Sequence, residues 1–197
     1  MKVQVPDGVC GEYKIQTFNV SKESSEMTRL RAMVKRDRYE FVPEGDYKRL
    51  MRGHTVVMSN TPMEVMTNTE FVRQARGNVL INGLGLGMVL TAVLEKKEVE
   101  KVTVVELSKE VIDLVSPTFK NDPRVTIINQ SAFDFKPKEF YDVVWHDIWD
   151  NITADNIPEM QKLHRKFGRR SGWQGSWCHS ECKEQMQESK RRMRGYW

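Results

Sequence analysis

The sequence lacks the features that mark secreted and membrane-spanning proteins. Only three of its 197 residues are cysteines, and this odd, sparse set argues against a disulfide framework and fits a reducing compartment. No apolar run approaches the roughly 20 residues that a membrane span needs. The first thirty residues also lack the charged and then apolar pattern of a signal peptide. We therefore expect a cytoplasmic protein without a membrane partner.

The composition is that of a globular protein. Hydrophobic residues make up 39% of the chain and charged residues 29%, which excludes a fibrous or disordered class. A chain of this length can form one domain with a small appendage. From Lys162 onward there are ten Lys or Arg against three Glu, within a net charge of +4 for the whole chain. Such a basic end can bind nucleic acid, but a solvated terminal helix is the favoured interpretation.

The C-terminal part contains a small group of residues of types that bind metals, namely His164, Cys178, His179 and Cys182. Structural zinc sites favour a C-x2-C pair with a matching second pair, which this group does not have. Consecutive residues on a strand also point to opposite faces of the sheet, and we predict that Cys178 and His179 lie on a strand. The sequence therefore predicts no metal site.

A stretch near the middle of the chain has the pattern of a nucleotide-binding turn. The apolar run Val79–Ile81 predicts a buried parallel strand, and Gly83, Gly85 and Gly87 follow it at alternate positions. Glycines leave no Cβ atoms to keep a ligand away from the backbone. The helix formers of Met88–Glu95 come next, so the free amide groups of a helix N-terminus would face that ligand. The glycine pattern alone is weak, because the pyrophosphate fingerprint has its third glycine one place later.

The next strand supplies a carboxylate at a suitable distance along the chain. The apolar run Val102–Val105 predicts a second strand, and it ends at Glu106, about 20 residues past the glycines. A carboxylate at this position can accept hydrogen bonds from ribose hydroxyl groups. The run Val125–Ile128 predicts a third buried strand.

Two acids follow the fourth predicted strand, Tyr141–Trp145. Asp147 and Asp150 lie three residues apart, just beyond the carboxyl end of this strand. Ligands of open α/β sheets bind at this end of the strands. A carboxylate there would attract a cationic sulfonium or amine.

The residues before the glycine strand predict a small antiparallel sheet with one helix. Alternating polar and apolar residues indicate strands, and Met27, Leu30, Met33 and Val34 recur at helical spacing after Ser21, a good N-cap. The predicted elements are a strand over Glu12–Val20, a helix over Lys22–Lys35, and β segments over Tyr39–Val42, Tyr47–Arg52 and Thr55–Met58.

Two further regions flank the nucleotide-binding pattern. Pro62 is placed to begin a helix, and its segment supplies four polar candidates for a pocket wall, Asn60, Glu64, Asn68 and Glu70. After the acids, the chain predicts a helix ending near Gly168, a strand over Trp173–His179 and a basic helix over Glu181–Arg194. We divide the chain into an N-terminal β-rich appendage (1–58), a nucleotide-binding domain (59–181) and a basic C-terminal helix or tail (182–197).

These motifs resemble class I S-adenosylmethionine-dependent methyltransferases, and within that superfamily they are most similar to the spermidine synthase (polyamine aminopropyltransferase) branch. The resemblance covers roughly Met58 to Glu181 and is carried by Val79–Gly87, Val104–Ile112 and Tyr141–Asp150. It implies an α/β, Rossmann-like class I methyltransferase fold with a parallel sheet flanked by helices. Two strands of the full fold are missing, so a truncated sheet is expected, and either a second copy of the chain or the terminal helix is a candidate cover for its open edge.

The resemblance also implies a cofactor and its contacts. The cofactor is S-adenosylmethionine or its decarboxylated form, with its methionine part on the glycines, its ribose at Glu106 and its adenine beside Ser131, where the family has an acid. The implied cofactor-binding residues are Asn82, Gly83, Leu84, Gly85, Gly87, Glu106, Leu107, Ser131, Ala132 and Asp147. Asp147 and Asp150 match the Asp-x-x-Asp that steers and activates the attacking amine in spermidine synthases, so both are predicted to be catalytic.

The chain departs from the aminopropyltransferase pattern at two places. Leu86 replaces the acid in the family's glycine loop, and the Tyr-His-Glu-like piece before the first strand is absent. The sequence therefore ranks a methyltransferase acting on a small-molecule or amine acceptor first. An aminopropyltransferase that uses decarboxylated S-adenosylmethionine is the alternative. A cofactor-binding protein without turnover is the third hypothesis.

Overall fold

The computed structural model describes Met1 and residues 3–194, and these residues form two sheets with six α-helices. The strands are β1 (Gly8–Cys10), β2 (Tyr13–Val20), β3 (Gly45–Arg52), β4 (Thr55–Ser59), β5 (Gly77–Asn82), β6 (Val99–Glu106), β7 (Val125–Asn129), β8 (Tyr141–His146) and β9 (Ser171–Ser176). The helices are α1 (Lys22–Lys35), α2 (Pro62–Gln74), α3 (Met88–Leu94), α4 (Lys109–Val115), α5 (Ile157–Phe167) and α6 (His179–Arg194). Short 3-10 turns cover Arg38–Glu40, Ser116–Thr118 and Ala154–Asn156.

The first four strands form an antiparallel sheet in the order β1-β2-β3-β4. Strands β2 and β3 pair along their whole length, from Tyr13 opposite Arg52 to Val20 opposite Gly45. Helix α1 is inserted between these two strands, with Ser21 as the predicted N-cap: its side chain accepts a hydrogen bond from the amide of Ser24. The antiparallel sheet and the bounds of α1 agree with the sequence-based prediction.

One predicted strand is wrong. The segment Tyr39–Val42 forms the end of a 3-10 turn and an extended loop. Two of its backbone amides hydrogen-bond to side chains and not to a neighbouring strand. The Asp37 carboxylate accepts from the amide of Tyr39, and the Thr28 hydroxyl accepts from the amide of Val42. Strand β1, only three residues long, was not predicted, because so short a run carries no periodic signal.

The remaining strands form one parallel sheet in the order β7-β6-β5-β8-β9. Strand β5 lies in the middle, where Ile81 is opposite both Val104 of β6 and Trp145 of β8. The chain therefore runs outward from β5 through β6 to β7 and then returns to the other side of β5. Loops at the carboxyl ends of β5, β6 and β8 diverge at this switch point and leave a crevice for a ligand. The predicted Rossmann-like α/β fold is confirmed, and its parallel sheet has five strands in the described part of the chain.

Helices cover both faces of this sheet. Successive residues of a strand point to opposite faces, so Val79 and Ile81 pack with Phe71 of α2 while Leu80 packs with Leu163 and Phe167 of α5. All of these side chains are buried, and each contributes roughly 1.5–3 kcal/mol of transfer free energy. Among the described residues no helix is long and apolar enough to cross a membrane.

The end of the chain differs from the prediction. Strand β9 stops at Ser176, Cys178 adopts a left-handed backbone with φ of 48°, and α6 begins at His179. Cys178 and His179 therefore do not lie on a strand, and the argument from opposite faces of a sheet is wrong. Within residues 3–194 no group of three metal-ligating side chains lies close enough to hold an ion. The predicted basic tail (182–197) falls partly outside the described residues, which end at 194.

Candidate active site

A cleft of about 450 Å³ lies at the carboxyl ends of β5, β6 and β8, beneath the N-terminal sheet. Parallel strands deliver their following loops to the same edge, which is why residues far apart in sequence meet here. The predicted site residues that line the cleft are Gly83, Leu84, Gly85, Glu106, Leu107, Ser131, Ala132, Asp147 and Asp150. The N-terminal sheet adds wall residues that were not predicted: Tyr13, Leu50, Arg52, Val57 and Met58.

The glycine loop is held between the ends of two neighbouring strands. The amide of Gly83 donates to the carbonyl of Val105 over 2.8 Å, and the amide of Asp147 donates to the carbonyl of Asn82 over 2.8 Å. Gly83 has a φ of 102°, and a Cβ there would collide with the carbonyl oxygen of Asp147. Only glycine can bring the loop this close to Asp147.

Gly85 lies against a side chain of the N-terminal sheet. Its φ is 49°, and a Cβ at this position would collide with the sulfur of Met58. The same sulfur accepts a hydrogen bond from the amide of Leu86 over 3.1 Å. Met58 at the end of β4 therefore rests on the loop that was predicted to cradle the methionine part of the cofactor.

Two of the predicted cofactor-binding residues lie behind the loop and not on the cleft. Asn82 is fully buried, and its side-chain amide is 2.8 Å from Nδ1 of His146. Burial lowers the pKa of His146 to about 3, so this imidazole is neutral and Nδ1 can accept that hydrogen bond. Gly87, with a φ of 66°, faces the rings and methyl groups of Phe119 and Val115. Both residues therefore support the loop from the core side.

Glu106 fastens the glycine loop to β6. Its Oε2 accepts from the amide of Leu84 over 2.8 Å, and its Oε1 accepts from the amide of Ser108 over 2.8 Å. A carboxylate has about four acceptor positions, so two remain for the hydroxyl groups of a ligand. Leu107, the next residue, lines the cleft with an apolar side chain that is 72% exposed.

The loop after β7 forms the opposite wall. The Ser131 hydroxyl accepts from the amide of Phe133 over 3.1 Å, and Nζ of Lys166 donates to the carbonyls of Ala132 and Phe133. These contacts hold a tight turn beside the cleft. Asp134, the acid nearest to Ser131 in this loop, is exposed and lies outside the cleft lining.

The two aspartates after β8 lie in different environments. Asp147 is partly buried, and removal from water raises its pKa to about 7, with a further contribution from the charge of Glu106. Asp150 is exposed and forms an ion pair with Arg52 of β3, with 3.4 Å between nitrogen and oxygen. A hydrogen bond with Tyr13 raises the pKa of Arg52, so this cation stays charged at the mouth of the cleft.

The second buried acid of the cleft is Glu64, one of the four polar residues that the sequence offered for a pocket wall without ranking them. Glu64 on α2 is only 6% exposed, and burial raises its pKa to about 8, with the charge of Asp147 acting in the same direction. Glu64 and Asp147 therefore face the same part of the cleft, although 82 residues separate them in sequence. Two adjacent carboxyl groups that titrate near neutral pH form an arrangement typical of acid–base sites.

The other three polar candidates of that segment have structural contacts. Asn60 accepts a hydrogen bond from the amide of Lys48, Asn68 accepts one from the indole of Trp145, and Glu70 pairs with Arg73 on the surface of α2. The position of Glu64 in the first turn after Pro62 was the only local signal. First-turn acids commonly stabilise helix N-termini, so this signal did not distinguish Glu64 from the other three candidates.

This cleft is found in a chain whose sequence matches a known family. The family model of the spermine/spermidine synthase domain matches residues 54–167, which include the glycine loop, Glu106, Asp147 and Asp150. The chain belongs to this family. The resemblance stated from the motifs is therefore confirmed at the level of the family.

Individual relatives are more distant. The polyamine aminopropyltransferase of Buchnera aphidicola subsp. Schizaphis graminum is 34% identical over 84 residues, which are 38% of this chain and 29% of that enzyme. The match thus spans less than a third of the relative's length. Spermidine synthase from Thermotoga maritima is 20% identical, with a TM-score of 0.45 over 64% of this chain and 45% of that one. The N-methyltransferase NodS from Bradyrhizobium japonicum WM9 is 14% identical, with a TM-score of 0.46 over 57% and 64% of the two chains.

Proposed function

We propose that this protein transfers an aminopropyl group from decarboxylated S-adenosylmethionine to an amine bound in the cleft. The observation that carries the proposal is the pair of buried acids, Glu64 and Asp147, beside the glycine loop. Amine acceptors are cationic near neutral pH, and two carboxyl groups in a partly dry cleft favour such a ligand. The sequence alone ranks methyl transfer first, whereas the family match and the Buchnera relative favour the reverse order.

The residues of the cleft suit an adenosyl sulfonium donor. The glycine loop from Gly83 to Gly85 offers bare backbone, Glu106 has acceptor positions left for ribose hydroxyls, and exposed Leu107 offers an apolar face to adenine. Ser131 and Ala132 close the adenine side. When bound, such a donor supplies an electrophilic carbon on a sulfonium sulfur, and the carbon–sulfur bond breaks toward sulfur as the acceptor nitrogen attacks.

Asp147 is placed to act as the base in this reaction. With a pKa of about 7, its carboxylate is a stronger base than an ordinary aspartate, and it is still partly ionised at neutral pH. It can attract an ammonium ion, orient it and take the proton that the nitrogen must lose. The backbone amide of Asp147 donates a hydrogen bond to the carbonyl of Asn82 at the end of β5. The sheet therefore sets the position of Asp147 relative to the glycine loop.

Glu64 provides a second charge for the acceptor. With a pKa of about 8, it is mostly protonated at pH 7 when no cation lies beside it. An ammonium group bound nearby would lower that pKa, and Glu64 would then release its proton as the acceptor binds. Arg52 and Asp150, which form an ion pair, are also part of the cleft wall.

Methyl transfer from S-adenosylmethionine is the second candidate. Leu86, fully buried, stands where the family's glycine loop has an acid, so the loop has no carboxylate to repel the donor's own carboxylate. Arg52 lines the cleft and is a cation that can pair with that group. The same change at Leu86, together with Ser131 in place of the adenine-binding acid, supports the third candidate, a binding protein without turnover.

Incubation with each donor and a panel of amines separates the three candidates. Aminopropyl transfer yields methylthioadenosine from the decarboxylated donor, and methyl transfer yields S-adenosylhomocysteine from the intact one. We expect methylthioadenosine, with diamines as the best acceptors. If S-adenosylhomocysteine alone accumulates, the leading proposal is wrong. Donor binding in calorimetry without either product would favour the binding protein.

A further inference from the structure

Helix α1 presents an apolar surface that the described chain does not cover. None of the fourteen described residues of α1 is buried. Its exposed fractions are 55% at Met27, 57% at Leu30, 67% at Met33 and 84% at Val34. These four residues are half of the large hydrophobic residues that are exposed in the described part of the chain. Clustering of this kind on one helix marks an interaction surface more often than isolated exposed residues do.

The apolar residues lie in a single stripe on the side of α1 away from its own loop. Met27, Leu30 and Val34 are spaced three and four residues apart, which places them on one face of an α-helix, and Met33 lies at the edge of this face, three residues after Leu30. Glu23, four residues before Met27, continues the same face at its N-terminal end. Thr28 lies on another face, where its hydroxyl bonds both the carbonyl and the amide of Val42. The loop after α1 thus anchors the helix by the Thr28 side and leaves the stripe in solvent.

We propose that the stripe binds the same stripe of a second copy of this chain, with the two helices antiparallel. The charges of α1 are unevenly divided along its length. The first half carries Lys22, Glu23 and Glu26, a net charge of −1, and the second half carries Arg29, Arg31 and Lys35, of which Lys35 already pairs with Glu40. A two-fold axis between Met27 and Leu30 places each acidic half beside the basic half of the other copy. A parallel pair would instead bring like charges together, which is destabilising.

The antiparallel register makes specific pairs. Val34 of one copy packs beside Glu23 of the other, so Arg31, one turn before Val34, lies next to that carboxylate. Met27 packs against Leu30 of the second copy at the centre. The symmetry repeats each contact, because a two-fold interface is self-complementary. Opposed helix dipoles add to the stability of this arrangement.

The size of the helix sets the strength of the dimer. Fourteen residues make a helix about 21 Å long, which buries less than the roughly 800 Å² per partner of a standard interface. We therefore expect a dimer that dissociates at micromolar concentration. The stripe is also remote from the cleft, since α1 follows Val20 at one end of β2 while Tyr13 at the other end lines the cleft. The length of an eight-residue strand separates these two ends by roughly 24 Å, so pairing of the helices leaves the cleft open.

Sedimentation velocity of the full chain over a range from about 1 to 200 μM tests the proposal. The dimer fraction should rise with concentration, and Leu30→Glu should raise the dissociation constant at least tenfold. Phe140→Glu is the matched control, because Phe140 is 55% exposed and lies on the loop before β8. This control should leave the dimer unchanged. Circular dichroism of each variant verifies that the fold is retained.

Charge reversals test the antiparallel register itself. Glu23→Arg alone and Arg31→Glu alone should each weaken the dimer about threefold, and a chain carrying both changes should recover it. An equimolar mixture of the two single variants should form heterodimers more readily than either variant forms homodimers. A protein that stays monomeric at every concentration, a dimer that persists in Leu30→Glu, or a double variant without recovery would each overturn the proposal. A dimer insensitive to Leu30→Glu would point to the open sheet edge instead.

Discussion

The two sheets of this protein bury their side chains very differently. The parallel sheet is covered on both faces, and the central residues of β5 and β8 are almost entirely inaccessible to solvent. In the antiparallel sheet, β2 and β3 each contain one buried residue, Ile15 and Leu50. The parallel half can therefore hold atoms in fixed positions, while the antiparallel half is a thin cover that adds wall residues. We infer that the first half binds the donor and performs chemistry, and that the second half selects among ligands.

The comparison predicts that equivalent glycine substitutions differ greatly between the halves. Gly83→Ala in the parallel half should lower the free energy of unfolding by about 3 kcal/mol or more, because the new Cβ meets the carbonyl of Asp147 at a φ of 102°. Gly53→Ala in the antiparallel half has a φ of 55° but nothing within 4 Å of its Cβ. It should cost only about 1 kcal/mol. Urea denaturation of both variants measures the difference, and equal losses of unfolding free energy would contradict the inferred difference in packing between the two halves.

Substitution of the two predicted catalytic acids should distinguish a residue that takes part in the reaction from one that contacts the antiparallel sheet. Asp147→Asn keeps the shape of the side chain but removes the base, so turnover should fall on the order of 10²-fold with little change in donor affinity. Asp150→Asn is the matched control, since Asp150 is exposed and pairs with Arg52 of the cover. It should reduce turnover only a few-fold. A full-rate Asp147→Asn enzyme would remove Asp147 from the catalytic residues.

The buried acids should also make stability depend on pH. The raised pKa values of Glu64 (about 8) and Asp147 (about 7) mean that the folded state holds protons that the unfolded state has released. Their contribution to the free energy of unfolding is therefore fully present below about pH 4 and is lost as the pH rises through 7 and 8. Between pH 6.5 and 8.5 the free energy of unfolding should fall on the order of 2 kcal/mol.

Urea denaturation at several pH values measures this fall, and Glu64→Gln provides the control. Burial lowers the pKa of His146, so this residue makes stability rise with pH up to about its unfolded-state pKa near 6.5, and the same small contribution is present in the unmodified protein and in the variant. The variant should show a flatter profile than the unmodified protein over the same range. Identical slopes would show that Glu64 does not titrate in this cleft.

The smallest expected effect concerns Arg52 of the antiparallel sheet. Arg52 is exposed and its ion pair with Asp150 is long, so Arg52→Gln should change the free energy of unfolding by less than about 0.5 kcal/mol. If Arg52 pairs with the donor's carboxylate, the variant should lose affinity for S-adenosylmethionine a few-fold and keep its affinity for the decarboxylated form. Calorimetric titration with the two donors, using Arg49→Gln on the same strand as control, measures the selectivity. An equal loss for both donors would contradict a selective role of the cover.

Much of the fold was predictable because its signals are local. The apolar runs, the alternate glycines, Pro62 at a helix start and Ser21 at an N-cap each act within a few residues, and the structure confirms the elements that they predict. The predicted Tyr39–Val42 strand was wrong because two of its amides donate hydrogen bonds to the side chains of Asp37 and Thr28, which outweighs the preference of a short alternating pattern. The division into 1–58, 59–181 and 182–197 remains a prediction.

From its local patterns the sequence specified the class of the fold and placed the glycine loop and Asp147 at the carboxyl ends of neighbouring parallel strands, since strand periodicity and glycine turns depend on near neighbours in the chain. Only the tertiary structure decided that Glu64 faces Asp147, that Arg52 meets Asp150, and that Asn82 and Gly87 support the loop from behind. These pairings join residues from different sheets and helices. A pKa depends on burial and on charges that come close only when the chain folds, so no local pattern could have revealed the pair of buried acids.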